Sequence, residues 1–437
     1  MMSRAATRDR GTGLETGPLP GMFPQASAVL RSPFALMPLW ILAAGVLYLL
    51  GWSDLLTPLR ADTGLFLGVV AVAFAILAQR HPGDQQPRSA LPLNSGAVAL
   101  ITAYFIGAYV KNGGVPILQL LSGAEYDVYA FGIDGLHIAM LCFTGYYGVR
   151  AFRVFLDTRR LRDLAVFGWV IVLLATIANR SAVSFLVVAC MIVYLRVRRL
   201  SATWIVMLVV VGVVFVYGFG VFGDLRLAHQ IEAATGVPAA RDAVLRFSRA
   251  SEGFVASGLS PSWLWSYTYF TTPVANLNAA FGHAAGQLCS QTCGLPTVVL
   301  YDFIPDVIGE RLGGVLGVED FDKSVFLVAP DVTASTLFGS AVGAAGLVGG
   351  LGMACVLAVV AIVALRLLAG SRLYVEGVAL LGTIIFFSFF ENMVAYTSLF
   401  GQLVIVVVRA QLDLWSERRS GSLRSSTRAF VWLPERG

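Results

Sequence analysis

Apolar residues come along this chain in long runs with short polar breaks between them. The runs approach the ~20 residues needed to cross a ~30 Å hydrocarbon layer. Ten are readable, at about 34–51, 63–78, 94–110, 132–149, 164–178, 181–195, 202–223, 335–365, 374–390 and 394–412. Only Asn179-Arg180 divides the fifth from the sixth, which predicts a tight hairpin there. The pattern predicts an all-α polytopic integral membrane protein. Its parts are a tail over 1–33, seven spans within 34–223, a large loop over 224–332, three spans within 333–412 and a tail over 413–437. The first span has no small-residue cleavage site after a short apolar core, so it reads as retained.

The loop interrupts this rhythm. It carries 11 of the 26 acidic residues but only 6 of the 31 basic ones, and a connection of that length is usually functional. Its first arm, GVPAARDAVLRFSRASEGFVASG, predicts a helix between Pro238 and Gly258 whose charged face holds Asp242, Arg246, Arg249 and Glu252. That face is either a solvated surface or, with Arg226, a basic ridge that grips an anion. In PSWLWSYTYFTTPVANLNAAF, Trp263, Trp265, Tyr267 and Tyr269 alternate. Such rings suit a headgroup-level belt or a groove that stacks on sugars. The second arm, Asp302 to Asp331, is acid-rich and reads as solvated surface. VEDFD lacks the glycine turn and distal Glu of a calcium loop, so no metal site and no cofactor is expected.

Composition agrees with the pattern: 57% hydrophobic, 13% charged, mean hydropathy +0.76. Ordinary soluble domains are about a quarter charged. The basic residues fix an orientation. On the ten-span reading, 22 lie on the side of the termini and 9 on the side of the large loop. The positive-inside rule then places both termini in the cytoplasm and 224–332 outside, in the inner membrane if the cell is bacterial. The net charge of +5 therefore needs no nucleic acid to explain it. The basic stretch VRAFRVFLDTRRLRD is expected to lie on the anionic inner leaflet. Cys289 and Cys293 either close a small disulfide ring or stay free thiols in a turn. Arg180, at an apolar hairpin tip, either snorkels to the interface or faces an anion. Glu391, in FFENMVAY at a span end, is an interfacial acid or a partner for Arg180.

Four fragments carry a resemblance: ANRSA around Arg180, GDLRLA around Arg226, YFTTPVANL, and LVAPDVTASTLFGSAVGAAGLVGG before a Gly-rich span. Together they resemble the oligosaccharide repeat-unit polymerases, the O-antigen (Wzy-type) polymerases. The likeness covers roughly 165–370. The family's Tyr–Pro–Asn–Leu stretch matches Tyr269, Pro273, Asn276 and Leu277. Thr336, Gly346 and Gly349 match its Thr and glycines, while Ala344 stands where the family often has Asp. The resemblance implies a fold similar to polyprenyl-dependent membrane glycosyltransferases. It implies transfer of a growing glycan from undecaprenyl pyrophosphate to an incoming lipid-linked oligosaccharide, with a flippase and a chain-length regulator as pathway partners.

On that reading Arg180 and Arg226 hold the leaving diphosphate, for which bidentate guanidinium geometry is suited. The base for the acceptor hydroxyl is Glu252, then His283, then Asp224. Arg246, Arg249, Trp265, Tyr267, Tyr269, Asn276 and Glu391 would line the substrate. The alternatives are an O-antigen ligase-type transferase, a lipid-linked oligosaccharide transporter (flippase), or a structural assembly protein. Flippases would carry charges inside several spans, and here charges gather outside them.

Overall fold

The structure, a computed structural model, describes residues 31–81, 88–122, 131–133, 135–198, 202–236, 242–286, 294–330 and 332–429. Helices form where the apolar runs predict them. In chain order the first seven long ones are α1 (Leu36–Leu49), α2 (Ala61–Arg80), α3 (Ser95–Lys111), α5 (Leu136–Thr158), α6 (Leu161–Thr176), α7 (Arg180–Val197) and α8 (Ala202–Thr235), with the short α4 (Pro116–Leu121) between α3 and α5. Within the large loop come α9 (Ala243–Phe247), α10 (Glu252–Ala256), α11 (Pro261–Gly286) and α12 (Asp306–Leu316), and after it α13 (Gly339–Leu368), α14 (Tyr374–Phe387) and α15 (Thr397–Ala429). No strand occurs among the described residues, only an isolated bridge between Ser53 and Ala250. Four stretches, Ala61–Arg80, Ser95–Leu120, Gly339–Leu368 and Thr397–Arg419, are long and apolar enough to cross a membrane. This is an all-α protein of membrane type.

Local chemistry sets the helix ends. Asn94 caps α3 by accepting from Gly96 N, and Asn179 caps α7 by accepting from Ala182 N. Ala178 takes a left-handed φ of 55°, which turns α6 into α7 within three residues, as the Asn-Arg break predicts. Away from the loop, VRAFRVFLDTRRLRD departs from expectation. Its first part continues α5 to Thr158, and Arg153 is buried, pairing with Asp157 and donating to Arg88 O at 3.0 Å. Asp157 also accepts from Ala90 N at 2.9 Å, so the first part of this stretch straps the 88–92 segment, while 157–162 are exposed.

The large loop departs most. The single helical arm expected before Gly258 is two short helices, α9 and α10, broken at Arg249, whose φ is +43°. The sequence that follows forms α11, a 26-residue helix about 39 Å long, with most of its residues buried and Tyr269 exposed. It crosses the loop-side ends of other helices. Gly220 and Gly223 on α8 admit it, since a Cβ there would lie 1.9 Å from Ser262 O and 1.8 Å from Trp265 Nε1. Further along, Asn278 accepts from Arg60 N at 2.9 Å and donates to Thr57 Oγ1 at 3.1 Å. So polar a helix is buried because most of its hydroxyls are satisfied, as where Thr271 donates to Tyr267 O and Ser266 to Val216 O; Thr268 Oγ1 is the exception among the described residues.

Candidate functional site

The middle of α11, at Tyr269 and Phe270, meets the α14–α15 turn, and there polar groups converge. Asn276 is fully buried. It donates to Val332 O and Ala334 O, both at 2.8 Å, and accepts from Val328 N at 2.8 Å. The clamped segment then pairs with the turn: Ser335 N donates to Phe390 O and Leu337 N to Ser388 O, at 3.1 and 2.7 Å. Between these two bonds Thr336 holds a φ of +63°. Non-helical backbone inside such a bundle is tolerated where protein buries it, and this bonding does so.

Four ionisable side chains surround that turn. Lys323 Nζ meets Glu391 Oε1 at 3.1 Å, with about a third of each side chain exposed. Glu391 thus pairs with Lys323; the side chain of Arg180, the partner one reading of the sequence offers, lies outside the described residues. The next residue, Asn392, donates to Asp302 O at 2.9 Å and to Asp302 Oδ1 at 3.3 Å. Asp306 accepts from Thr397, and its own N–H donates to Ala395 O at 2.8 Å.

Asp302 corrects the expectation of a solvated acidic arm. It is 3% exposed, at the end of a π-helical turn over Val298–Asp302, a form that recurs at functional sites. Its Oδ2 is buried and accepts no hydrogen bond among the described residues. Burial pushes its carboxyl up to about 6, while the Lys323 charge and the Asn392 and Ser340 side chains hold it from rising further. A carboxyl held there is suited to accepting a proton at neutral pH. Lys323 is pulled down by burial, but the Glu391 carboxylate and its hydrogen bond outweigh that and hold it above its usual range.

Aromatic rings wall the turn on its apolar side. Trp40 stacks on Phe389 at 5.1 Å, Tyr269 and Phe270 lie 5.9 and 5.7 Å from Phe390, and Phe185 lies 4.9 Å from Phe387. Arg180 starts α7 five residues before Phe185, so its backbone lies beside this turn; its side chain is outside the described residues. Beside Gly346, an open cleft of about 310 Å³ is lined by Phe66, Val69, Phe281, Leu347 and Leu351, with Asp62. Gly346 breaks α13 with φ 58° and ψ −148°, a conformation essentially reserved for glycine.

The remaining sequence-predicted residues divide along α11. Tyr269, Asn276 and Glu391 gather at the turn, and His283 joins them through Phe321, 6.1 Å away. Trp265, Tyr267, Arg246, Arg249 and Glu252 lie towards the N-terminal end of α11. Trp265 stacks on Phe247, Tyr267 accepts from Trp52 N at 3.2 Å, and Arg246 pairs with Asp242 at 2.8 Å. Arg249 and Glu252 are exposed. Asp224 lies at this end too, 3.5 Å from Ser262, and so does the backbone of Arg226, whose side chain is outside the described residues. Eighteen residues separate Trp265 from His283 on α11, about 27 Å at helical rise. Cys289 and Cys293 lie outside the described residues.

Sequence reasoning missed Asp302, Lys323 and Asn392 as a group. Asp302 and Lys323 are 21 residues apart and meet over a turn some 70 to 90 residues further on. The one available signal was a lone Lys in a chain whose other basic residues, apart from Lys111, are all Arg. Comparison with family models, with curated proteins and with solved structures found no match to this chain.

Proposed function

We propose that the chain is a membrane polymerase of the glycosyltransferase type. It joins undecaprenyl-pyrophosphate-linked oligosaccharide repeat units into O-antigen, capsule or exopolysaccharide. On this reading the ten apolar helices all span a bacterial inner membrane, both termini are cytoplasmic, and residues 224–332 face the periplasm. The observation that carries it is the buried Asp302 carboxyl beside the partly exposed Lys323–Glu391 pair, at the loop end of an apolar bundle. Ionisable groups enclosed in a membrane protein mark substrate sites or proton paths. A substrate with a diphosphate at headgroup depth, a lipid tail and a polar glycan suits a partly exposed lysine at the loop end of an apolar bundle that also carries an apolar cleft. The resemblance of the Arg180, Arg226, Tyr269–Leu277 and Thr336–Gly349 fragments points the same way.

The division along α11 refines the roles. Arg180 and His283 belong with the pocket, and Arg226, Arg246, Arg249 and Glu252 belong with the rim that a growing glycan would pass. The test is polymerisation of purified lipid-linked repeat units by the full chain in proteoliposomes. Long glycan ladders are expected. Arg180→Ala and Arg226→Ala should each insert normally and collapse the ladder towards single repeats, with the larger loss for Arg180. Normal ladders from both variants would remove the diphosphate role from these arginines. Transfer of finished chains to a lipid acceptor, with no polymerisation, would favour the ligase-type reading instead.

A further inference from the structure

The three groups at the turn are wired in a way that suggests a moving part. Glu391 and Asn392 are neighbours on one short segment, yet they hold different things. Glu391 holds Lys323 at 3.1 Å, and Asn392 holds Asp302 through its main-chain and side-chain oxygens. Asp302 is enclosed with one oxygen unpartnered among the described residues, whereas the ion pair beside it is about a third exposed. Charged groups facing Asp302 come from every side: Lys323 and Asp320 from the segment before Leu327, and Glu391 behind Lys323, with Ser340 of α13 and Asn392 as the polar neighbours. An ion pair open to water at one face is readily exchanged, because its net worth is ~0–1 kcal/mol. A stronger anion arriving at Lys323 would therefore displace Glu391.

Resting on the polymerase reading above, we propose that Lys323–Glu391 is an anion-exchange latch over Asp302. A diphosphate takes Lys323 from Glu391, the 320–326 segment and the turn separate, and Asp302 Oδ2 becomes the proton acceptor for the attacking hydroxyl. The step balances. The acceptor oxygen bonds to the donor's anomeric carbon as its proton passes to Asp302. The bond from that carbon to the phosphate oxygen breaks, and the lipid diphosphate leaves with the electron pair. Lys323 stands where the leaving charge develops, a place at which a fixed cation contributes most.

Hydrogen exchange read by mass spectrometry on the full chain in phosphatidylcholine nanodiscs tests the latch without requiring polymerisation. Adding inorganic pyrophosphate should speed exchange several-fold across 298–303 and 320–326. Lys323→Met should abolish that response, and Lys323→Arg should keep it. Glu391→Gln should exchange fast with no anion added. Asp302→Asn should keep the response and lose transfer, with Asp302→Glu restoring part of it. Unchanged exchange with pyrophosphate, or a response that survives in Lys323→Met, overturns the latch. Opening in phosphatidylglycerol nanodiscs without pyrophosphate also overturns it, assigning the site to bulk lipid headgroups. A working latch in a chain that makes no glycan would overturn the polymerase reading alone.

Discussion

The two ends of α11 carry the same kinds of residue in opposite physical states. At the Trp265 end, Asp242, Arg246, Arg249 and Glu252 stand in water, and the Arg246–Asp242 pair is 77% and 43% exposed. At the Asn276 end, Asp302 is shut away with an oxygen that has no partner among the described residues, next to a lysine that pairs with Glu391. Coulomb's law gives a charge in water little leverage, and a charge in a low-dielectric pocket a great deal. On the proposed reading the conspicuous charges of the first arm are the chemically quiet ones, and chemistry concentrates where burial has made charge expensive.

Replacing Asp302 should produce the largest effect. Asp302→Asn keeps the shape and the Asn392 contact but removes the base, and should slow repeat-unit transfer by about 10²–10⁴-fold, the usual worth of a general base. Steady-state rates in proteoliposomes would show it. A loss under tenfold would move the base elsewhere on the pocket, with His283 next in line.

Stability should respond most to Asn276. Asn276→Ala removes three hydrogen bonds and leaves Val332 O, Ala334 O and Val328 N to find new partners. At 1–3 kcal/mol for each orphaned buried group, partly recovered by water, the cost should be on the order of 3 kcal/mol. Thermal unfolding in detergent measures it. A change below 1 kcal/mol would mean that the 328–334 segment is held by something other than this amide.

The pH dependence should run in opposite senses for rate and for stability. Asp302 is raised from 3.8 to about 6 in the folded chain, so the folded state binds more protons between those values. Its contribution to stability is then fully present below about pH 4 and is lost as pH rises through about 6. Transfer needs the ionised carboxylate, so its rate should climb through the same interval and level off above it. A flat rate profile between pH 5 and 7 would contradict the assignment, and Asp302→Asn should erase the inflection.

The smallest effect belongs to the rim. Arg246→Ala breaks an exposed i,i+4 pair and should cost no more than about 0.5 kcal/mol. A cost above 2 kcal/mol would show that this arm is docked on something the exposed geometry does not reveal.

Much of the fold was legible because hydrophobic length is a local property. Each of the ten apolar runs became a helix, and the Asn179-Arg180 break became the expected tight hairpin. The fate of 261–286 was not legible. Its Ser, Thr and Asn residues lower its hydropathy, and their burial depends on partners such as Val216 O, Thr57 and Ala334 O that the local sequence does not announce. Glu391 was flagged by its place at a span end, yet its partner was not, since Lys323 reaches it from 68 residues away. Asp302 looked like ten other acids of the loop until Asn392 and α13 closed around it.

The central claim, that chemistry belongs to the enclosed end of α11, is tested most directly by comparing glycan ladders from two strains. One carries Asp302→Asn, and the other carries Arg246→Ala, Arg249→Ala and Glu252→Ala together. The account predicts single repeats from the first and long chains from the second. Long chains from Asp302→Asn with single repeats from the triple variant would contradict it.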